Sequence, residues 1–342
     1  MTFPIWHWHI ENSSICSLRC PRCPRQEVPN SLNQTSLNLE FFQRNFKSII
    51  NDVWQITFCG DDGDPIYGQD FLDIVIFLKR LKPNISLRII TNGSYKSTNW
   101  WFNLSKVLNQ FDEIHFSIDG WDHESNIKYR VNSNFTSIME AVKTVRSNST
   151  VMMTWAAIAF NFNESQLLNK MIDKAKDLNF DQFQVTKSTK FGSNYDHYYR
   201  DGDEPLEPYD QNLISRTGRF ERLTFDISCR QQYDNGKNNI NLSLWNNIDQ
   251  SQKIIPMCQI GNKGLYISSE GYFYPCCWMA NRYSHISNER FKKPIFDLNT
   301  RTIEDVVNDK FWDGFFSKLN ENSECITKCN QCNYNKEYAT QW

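Results

Sequence analysis

Residues 53–65 read VWQITFCGDDGDP, a β-rich apolar run over 53–59 broken by a Gly- and Asp-rich turn that closes on Pro65. β-branched and aromatic residues favour a strand, and Gly, Asp and Pro stop it. The same phrase recurs. LRII (87–90), EIHFSI (113–118), VMMTWAAIAF (151–160) and DQFQV (181–185) read as further strands, with Trp6–Ile10 the first. Between them Leu39–Ile50, Phe71–Leu81, Trp100–Leu108, Phe135–Val145 and Glu164–Leu178 read as helices. The fourth is the clearest, with Phe135, Ile138, Met139, Val142 and Val145 on one face at helical spacing. Six strands alternating with helices predict an α/β fold built on a parallel sheet. Right-handed crossovers would curl that sheet into a partial (β/α)6 TIM-like barrel with its site at the C-terminal strand ends.

The pattern ends near residue 190. Residues 191–256, including GSNYDHYYRDGDEPLEPYDQN, are polar, Pro-containing and studded with aromatics, and read as a linker or loop segment. Residues 257–342 have little periodicity and most of the cysteines, so a small domain organised around a metal centre is expected there. The barrel would occupy residues 1–190. Overall composition is globular, 40% hydrophobic and 14% aromatic, without repeats or low-complexity tracts. A net charge of −2, from 37 basic and 39 acidic residues, supplies no global field for nucleic acid or an anionic membrane. No run of about 18 apolar residues appears, and the N-terminal stretch lacks the basic start and apolar core of an export signal. A cytoplasmic protein is expected. Its 11 cysteines then point to metal or cluster ligation rather than disulfides.

Cys16, Cys20 and Cys23 fall in one loop, CSLRCPRC, directly after the first strand, and Cys59 is the next cysteine along the chain. Two readings are open. His9 or His7 would complete a Cys3His zinc site. Alternatively, three thiolates would hold a [4Fe-4S] cluster and leave one iron for a small-molecule ligand.

CX3CX2C in the loop after the first strand of a partial barrel resembles the signature of the radical S-adenosylmethionine (SAM) superfamily, in which the open iron takes the amino and carboxylate groups of SAM. Further stretches resemble that family in the same order. GDDGDP (60–65) is similar to its GGEP motif, with Asp62, Gly63, Asp64 and Pro65 in the four positions, where backbone and acidic side chain receive the SAM ammonium group. A calcium loop is the other reading of these acids, but Pro65 interrupts it and no Glu stands at its twelfth position. TNG (91–93) ends the third strand, and FSIDG (116–120) ends the fourth ahead of Tyr129 and Arg130. The resemblance implies SAM contacts from Ser117 and Arg130, with Asn92 and Asp119 as second choices. Arg22 stands where the family usually has an aromatic residue near adenine; a guanidinium can stack on a π face as well. At the fifth strand Asn163 reads as a helix cap, and Lys187 and Ser188 follow the sixth strand toward the expected cavity.

Near the C-terminus, Cys258, Gly271 and Cys276 precede Cys325, Cys329 and Cys332. This resembles the SPASM/twitch appendage of radical SAM enzymes, in its shorter twitch form with one auxiliary [4Fe-4S] cluster. The resemblance implies Cys258, Cys276, Cys329 and Cys332 as ligands, with Cys277 and Cys325 as competitors. A zinc ribbon is the alternative use of these residues. Cys59 and Cys229 read as ordinary buried thiols.

The resemblance implies an enzyme, an oxidoreductase in class, that uses an external low-potential electron donor to cleave SAM. The resulting 5'-deoxyadenosyl radical would take a hydrogen atom from a small-molecule substrate, with net oxidation assisted by the auxiliary cluster. A peptide substrate is the alternative, with Tyr195, Tyr198, Tyr199 and Arg200 as candidate contacts. Two other readings are a non-catalytic zinc or iron-sulfur binding protein and a degenerate member that binds SAM without turnover.

Overall fold

The computed structural model describes residues 3–21, 23, 25, 33–60, 62–160, 165–187, 216–219, 255–256, 258, 264–280 and 291–317. Six parallel strands stand in sequence order: β1 (His7–Ile10), β2 (Gln55–Phe58), β3 (Ser86–Thr91), β4 (Glu113–Ser117), β5 (Met152–Ala159) and β6 (Gln182–Lys187). The predicted strands are all present. So are the helices, as α1 (Leu39–Phe46), α2 (Phe71–Leu81), α3 (Thr98–Val107), α5 (Phe135–Asn148) and α6 (Ser165–Asp177), together with a short α4 (His123–Ile127) that the apolar pattern did not reveal.

Local chemistry sets the helix starts. Asn38, Ser97, Asp122 and Asn134 each accept a backbone N–H of the first turn of α1, α3, α4 and α5, respectively. Each such cap is worth about 1 kcal/mol. Ser97 explains why α3 begins two residues ahead of the expected Trp100.

Every strand sends alternate side chains to opposite faces. One set, including Trp8, Ile10, Ile56, Phe58, Leu87, Ile89, Ile114, Phe116, Met153 and Trp155, joins the helices in a single apolar core. The other set has a different chemistry. His7, His9, Gln55, Thr57, Arg88, Glu113, His115 and Thr154 lie on the face without helices, where Arg88 and His115 both contact the Glu113 carboxylate, at 2.6 and 3.2 Å. A parallel sheet covered by helices on one side only must shelter its other side by curling, so this polar face becomes the barrel lumen.

The sheet extends beyond the six expected strands. β7 (Arg216–Arg219), inside the segment read as a linker, pairs antiparallel with β6. On the opposite edge β8 (Leu265–Ile267) pairs parallel with β1, and β9 (Phe273–Tyr274) returns antiparallel. The C-terminal segment therefore shares the barrel's sheet. It also shares its core: Phe3, Phe273 and Trp312 meet edge-on, with Phe3 and Trp312 centroids 4.9 Å apart, where α9 (Phe311–Ser317) follows α7 (Cys277–Ala280) and α8 (Ile303–Val307). Among the described residues no helix is long and apolar enough to cross a membrane.

Candidate functional site

The cysteine loop leaves β1 and is tied down on three sides. The Asp64 backbone N–H donates to Ile15 O at 3.0 Å, Arg19 N–H to Val131 O at 3.0 Å, and Asn132 Nδ2 to Ser17 O at 2.7 Å. Tyr67 hydroxyl joins Ser17 Oγ (2.6 Å) to Ser94 O (2.7 Å), and Arg25 Nη1 reaches back to Cys16 O and Leu18 O at 3.2 and 3.3 Å. Cys16, Cys20 and Cys23 thus gather in one small cluster with Leu18, Tyr129, Ile158 and Phe160.

Burial pushes all three thiols up, Cys16 and Cys23 to about 12. For Cys16 the Asp64 charge adds to burial, and Arg130 works against it at Cys20. Soft sulfur ligands gathered in one cluster, Cys20 buried and Cys16 and Cys23 half-buried, suit a bound iron centre that takes them as thiolates. The donor set fits a [4Fe-4S] cluster. The zinc alternative needed His9 or His7; these side chains turn instead to β2, His9 Nε2 to Cys59 Sγ and His7 Nε2 to Thr57 Oγ1.

Asp64 lies beside this loop, buried, as the cap of a short 3-10 turn (Pro65–Tyr67). It accepts from Ile66 N (3.2 Å), Thr91 Oγ1 (2.8 Å), Asn92 N (2.7 Å) and Asn92 Nδ2 (2.5 Å). GDDGDP and TNG are therefore one physical unit, since the second motif holds the acid of the first. Desolvation raises the Asp64 acid to about 6 against these hydrogen bonds. Asn92 Nδ2 is also 3.7 Å from Cys16 Sγ.

The loop fits around its glycines. A methyl on Gly63 would lie 2.0 Å from Ser13 O, and one on Gly60 2.6 Å from Glu11 Oε1. Glu11, which the sequence did not single out, is buried and accepts from Asp62 N–H at 2.5 Å and from the Tyr266 hydroxyl on β8 at 2.6 Å. A carboxylate from the end of β1 thereby joins the GDDGDP loop to the C-terminal hairpin.

Ser117 ends β4 on the lumen face. Arg130 is engaged by a buried ion pair, its Nε 2.5 Å from Asp119 Oδ2, while Asp119 Oδ1 accepts from Ile158 N–H at 2.6 Å. Arg130 also lies against the Tyr129 ring and within hydrogen-bonding reach of Cys20. Asp119 is thus the orienting partner of Arg130. Cys258 and Cys276 are described, the first buried and the second half-buried behind β9. Arg22, Asn163, Ser188, Tyr195, Tyr198, Tyr199, Arg200, Cys229, Cys325, Cys329 and Cys332 lie outside the described residues, as does the Lys187 side chain.

Residues 10–169 match the model of the radical SAM superfamily, and residues 258–333 match that of an iron-sulfur cluster-binding domain of SPASM type. Among solved structures, SuiB of Streptococcus suis bound to the precursor peptide SuiA is similar at TM-score 0.56 and 15% identity, covering 95% of this chain and 70% of that one. The same protein bound to S-adenosylmethionine is similar at 0.55 and 15% identity, covering 95% and 71%. The structure of anSMEcpe with bound AdoMet and the Cp18Cys peptide is similar at 0.51 and 16% identity, covering 95% and 86%. No curated protein matches. At such identities the likeness establishes the fold, a partial TIM-like barrel. The chain carries a radical SAM domain over residues 10–169, a domain type that uses SAM and a [4Fe-4S] cluster, and a SPASM-type iron-sulfur cluster-binding domain over residues 258–333.

Proposed function

We propose that this protein reductively cleaves SAM and abstracts a hydrogen atom from a small-molecule substrate held in the polar lumen, with net oxidation assisted by an auxiliary [4Fe-4S] cluster. The observation that carries the reading is the meeting of three thiols, Cys20 buried and Cys16 and Cys23 half-buried, with the Asp64, Asn92 and Arg130 side chains at the C-terminal strand ends. A [4Fe-4S] cluster held by Cys16, Cys20 and Cys23 would supply the electron that splits the sulfonium C–S bond of SAM.

The chain's own residues do the rest. Asp64, oriented by Thr91 and Asn92, accepts the SAM ammonium together with the turn around Asp62 and Gly63, a charge-assisted contact that fixes one end of the molecule. Ser117 and Arg130, the latter aimed by Asp119, hold its ribose or carboxylate, and Arg22 covers adenine. The apolar cluster of Leu18, Tyr129, Ile158 and Phe160 beside the cysteine loop keeps water from the radical. Cys258, Cys276, Cys329 and Cys332 ligate the auxiliary cluster. An external low-potential electron donor in the cytoplasm supplies the electron.

A second reading has a specific ground. Two of the similar structures, SuiB and anSMEcpe, were solved with peptides bound, which favours a peptide or protein substrate entering the same lumen.

The test is anaerobic. The protein is reconstituted, iron and sulfide are counted, and SAM with dithionite is added. About eight irons, as two [4Fe-4S] clusters require, with 5'-deoxyadenosine in the product, are expected. Deoxyadenosine that persists in a Cys16→Ala, Cys20→Ala, Cys23→Ala triple variant would end the proposal.

A further inference from the structure

The C-terminal hairpin of β8 and β9, part of the segment matched to the iron-sulfur cluster-binding domain, reaches the turn ahead of Asp64 by two separate routes. The first runs through Glu11. Tyr266 stands beside His9 in the parallel register of β8 and β1, and its hydroxyl donates to Glu11 Oε2 at 2.6 Å. Glu11 N–H donates to Ile267 O at 2.9 Å, so main chain and side chain both fasten the residue to β8. The other carboxylate oxygen, Oε1, accepts from Asp62 N–H at 2.5 Å and lies where a methyl on Gly60 would come within 2.6 Å. The second route starts between the two strands of the hairpin. Glu270 Oε1 accepts from Asn33 Nδ2 at 2.9 Å, Asn33 O accepts from Ser14 Oγ at 2.6 Å, and Gly63 packs its Cα against Ser13 and Ser14. Both routes end on Asp62 and Gly63, the residues that lead into Asp64, whose own N–H is given to Ile15 O.

We propose that Glu11 and Tyr266 are positioning residues for SAM, through which the C-terminal hairpin sets the turn that receives the SAM ammonium; this rests on the SAM-binding reading above. Glu11 acts through the turn and not as a ligand, since one oxygen holds Asp62 N–H and the other takes the Tyr266 hydroxyl. Hydrogen bonds to a buried carboxylate are strong, and breaking one leaves a desolvated charge behind. The turn therefore cannot shift without disturbing the hairpin. A turn fixed beforehand presents SAM with a preformed cradle, so the entropy of ordering the loop does not oppose binding. Coupling between two sites is reciprocal. If a docked hairpin favours SAM, bound SAM favours the docked hairpin to the same extent.

The test reads binding rather than turnover. Tyr266→Phe removes one hydroxyl and keeps the ring, whose centroid lies 5.4 Å from that of His9 and 5.9 Å from that of Tyr274. In anaerobically reconstituted protein of equal iron content, equilibrium dialysis should show SAM binding weakened about fivefold or more in this variant, the low end of coupling between sites. 5'-Methylthioadenosine, which has the adenosine half of SAM without the ammonium, should bind both proteins alike. Glu11→Gln, whose amide can keep both contacts, should retain more SAM affinity than Glu11→Ala. Hydrogen exchange reads the opposite direction: SAM should slow the amides of Leu265–Ile267 in wild type, and slow them less in Tyr266→Phe. Equal SAM affinity in Tyr266→Phe and wild type, an equal loss for 5'-methylthioadenosine, equal losses in the two Glu11 variants, or β8 exchange indifferent to SAM would overturn the positioning role while leaving SAM binding standing. Failure of wild type to bind SAM would remove both proposals together.

Discussion

At the scale of single residues, Asp64 concentrates the electrostatics of the site. Its carboxylate accepts four hydrogen bonds from residues of its own turn and of the β3 end, yet burial holds its acid form up to about 6, against 3.8 ordinarily. Only the ionised form can accept the SAM ammonium with full charge. Above about pH 6 the carboxylate is present; as pH falls through about 6 it is lost. kcat/KM for SAM, which reports the free enzyme, should fall on that acid limb, and the limb should vanish in Asp64→Asn. That variant should also lose about 1.5–3 kcal/mol of SAM affinity, the worth of a hydrogen bond to a charged group, as measured by equilibrium binding. An acid limb retained in Asp64→Asn would assign it to another group.

At the scale of elements, the SAM-side loop is dictated by what it cannot contain. Gly63 packs its Cα against the backbone of Ser13 and Ser14, so an added methyl must displace main chain rather than a flexible side chain. Gly63→Ala is expected to cost about 1–3 kcal/mol, as overpacking does, and to lower cluster incorporation as the cysteine loop shifts. Gly314, in the C-terminal helix Phe311–Ser317, has nothing within 4 Å of its would-be methyl. Gly314→Ala should therefore stabilise by about 0.5–1 kcal/mol through helix propensity alone. Paired thermal unfolding of the two variants checks both signs. A mild effect at Gly63 would mean the loop has room that its contacts deny.

At the scale of the molecule, the barrel and the described part of the C-terminal segment share one sheet and one core. β8 hydrogen-bonds to β1, Glu11 bridges the GDDGDP loop to Tyr266, and Phe3, Phe273, Phe291, Trp312 and Phe316 form a common aromatic core. Trp312 is fully buried at the centre of that core, with its indole N–H donated to Val306 O at 2.7 Å. Trp312→Ala should cost about 3–5 kcal/mol. Because the core is shared, amide hydrogen exchange should accelerate in β1 as well as in the C-terminal helices. Exchange confined to the C-terminal segment would indicate a separate domain.

The alternation of β-rich runs with 3.6-period segments determined the six parallel strands and five of the helices, because each element carries its own periodicity and caps. Cysteine spacing and motif order likewise marked out the radical SAM and SPASM domains. What only the tertiary structure decided is long-range. That TNG exists to hold Asp64, that Asp119 aims Arg130, that Glu11 reaches Tyr266 and that His9 meets Cys59 are contacts between residues 11 to 255 positions apart. Nothing in the local pattern encodes such partners. Strand register and the curl of the sheet bring them together, and the same register moves the C-terminal hairpin from an expected appendage to the edge of the barrel itself.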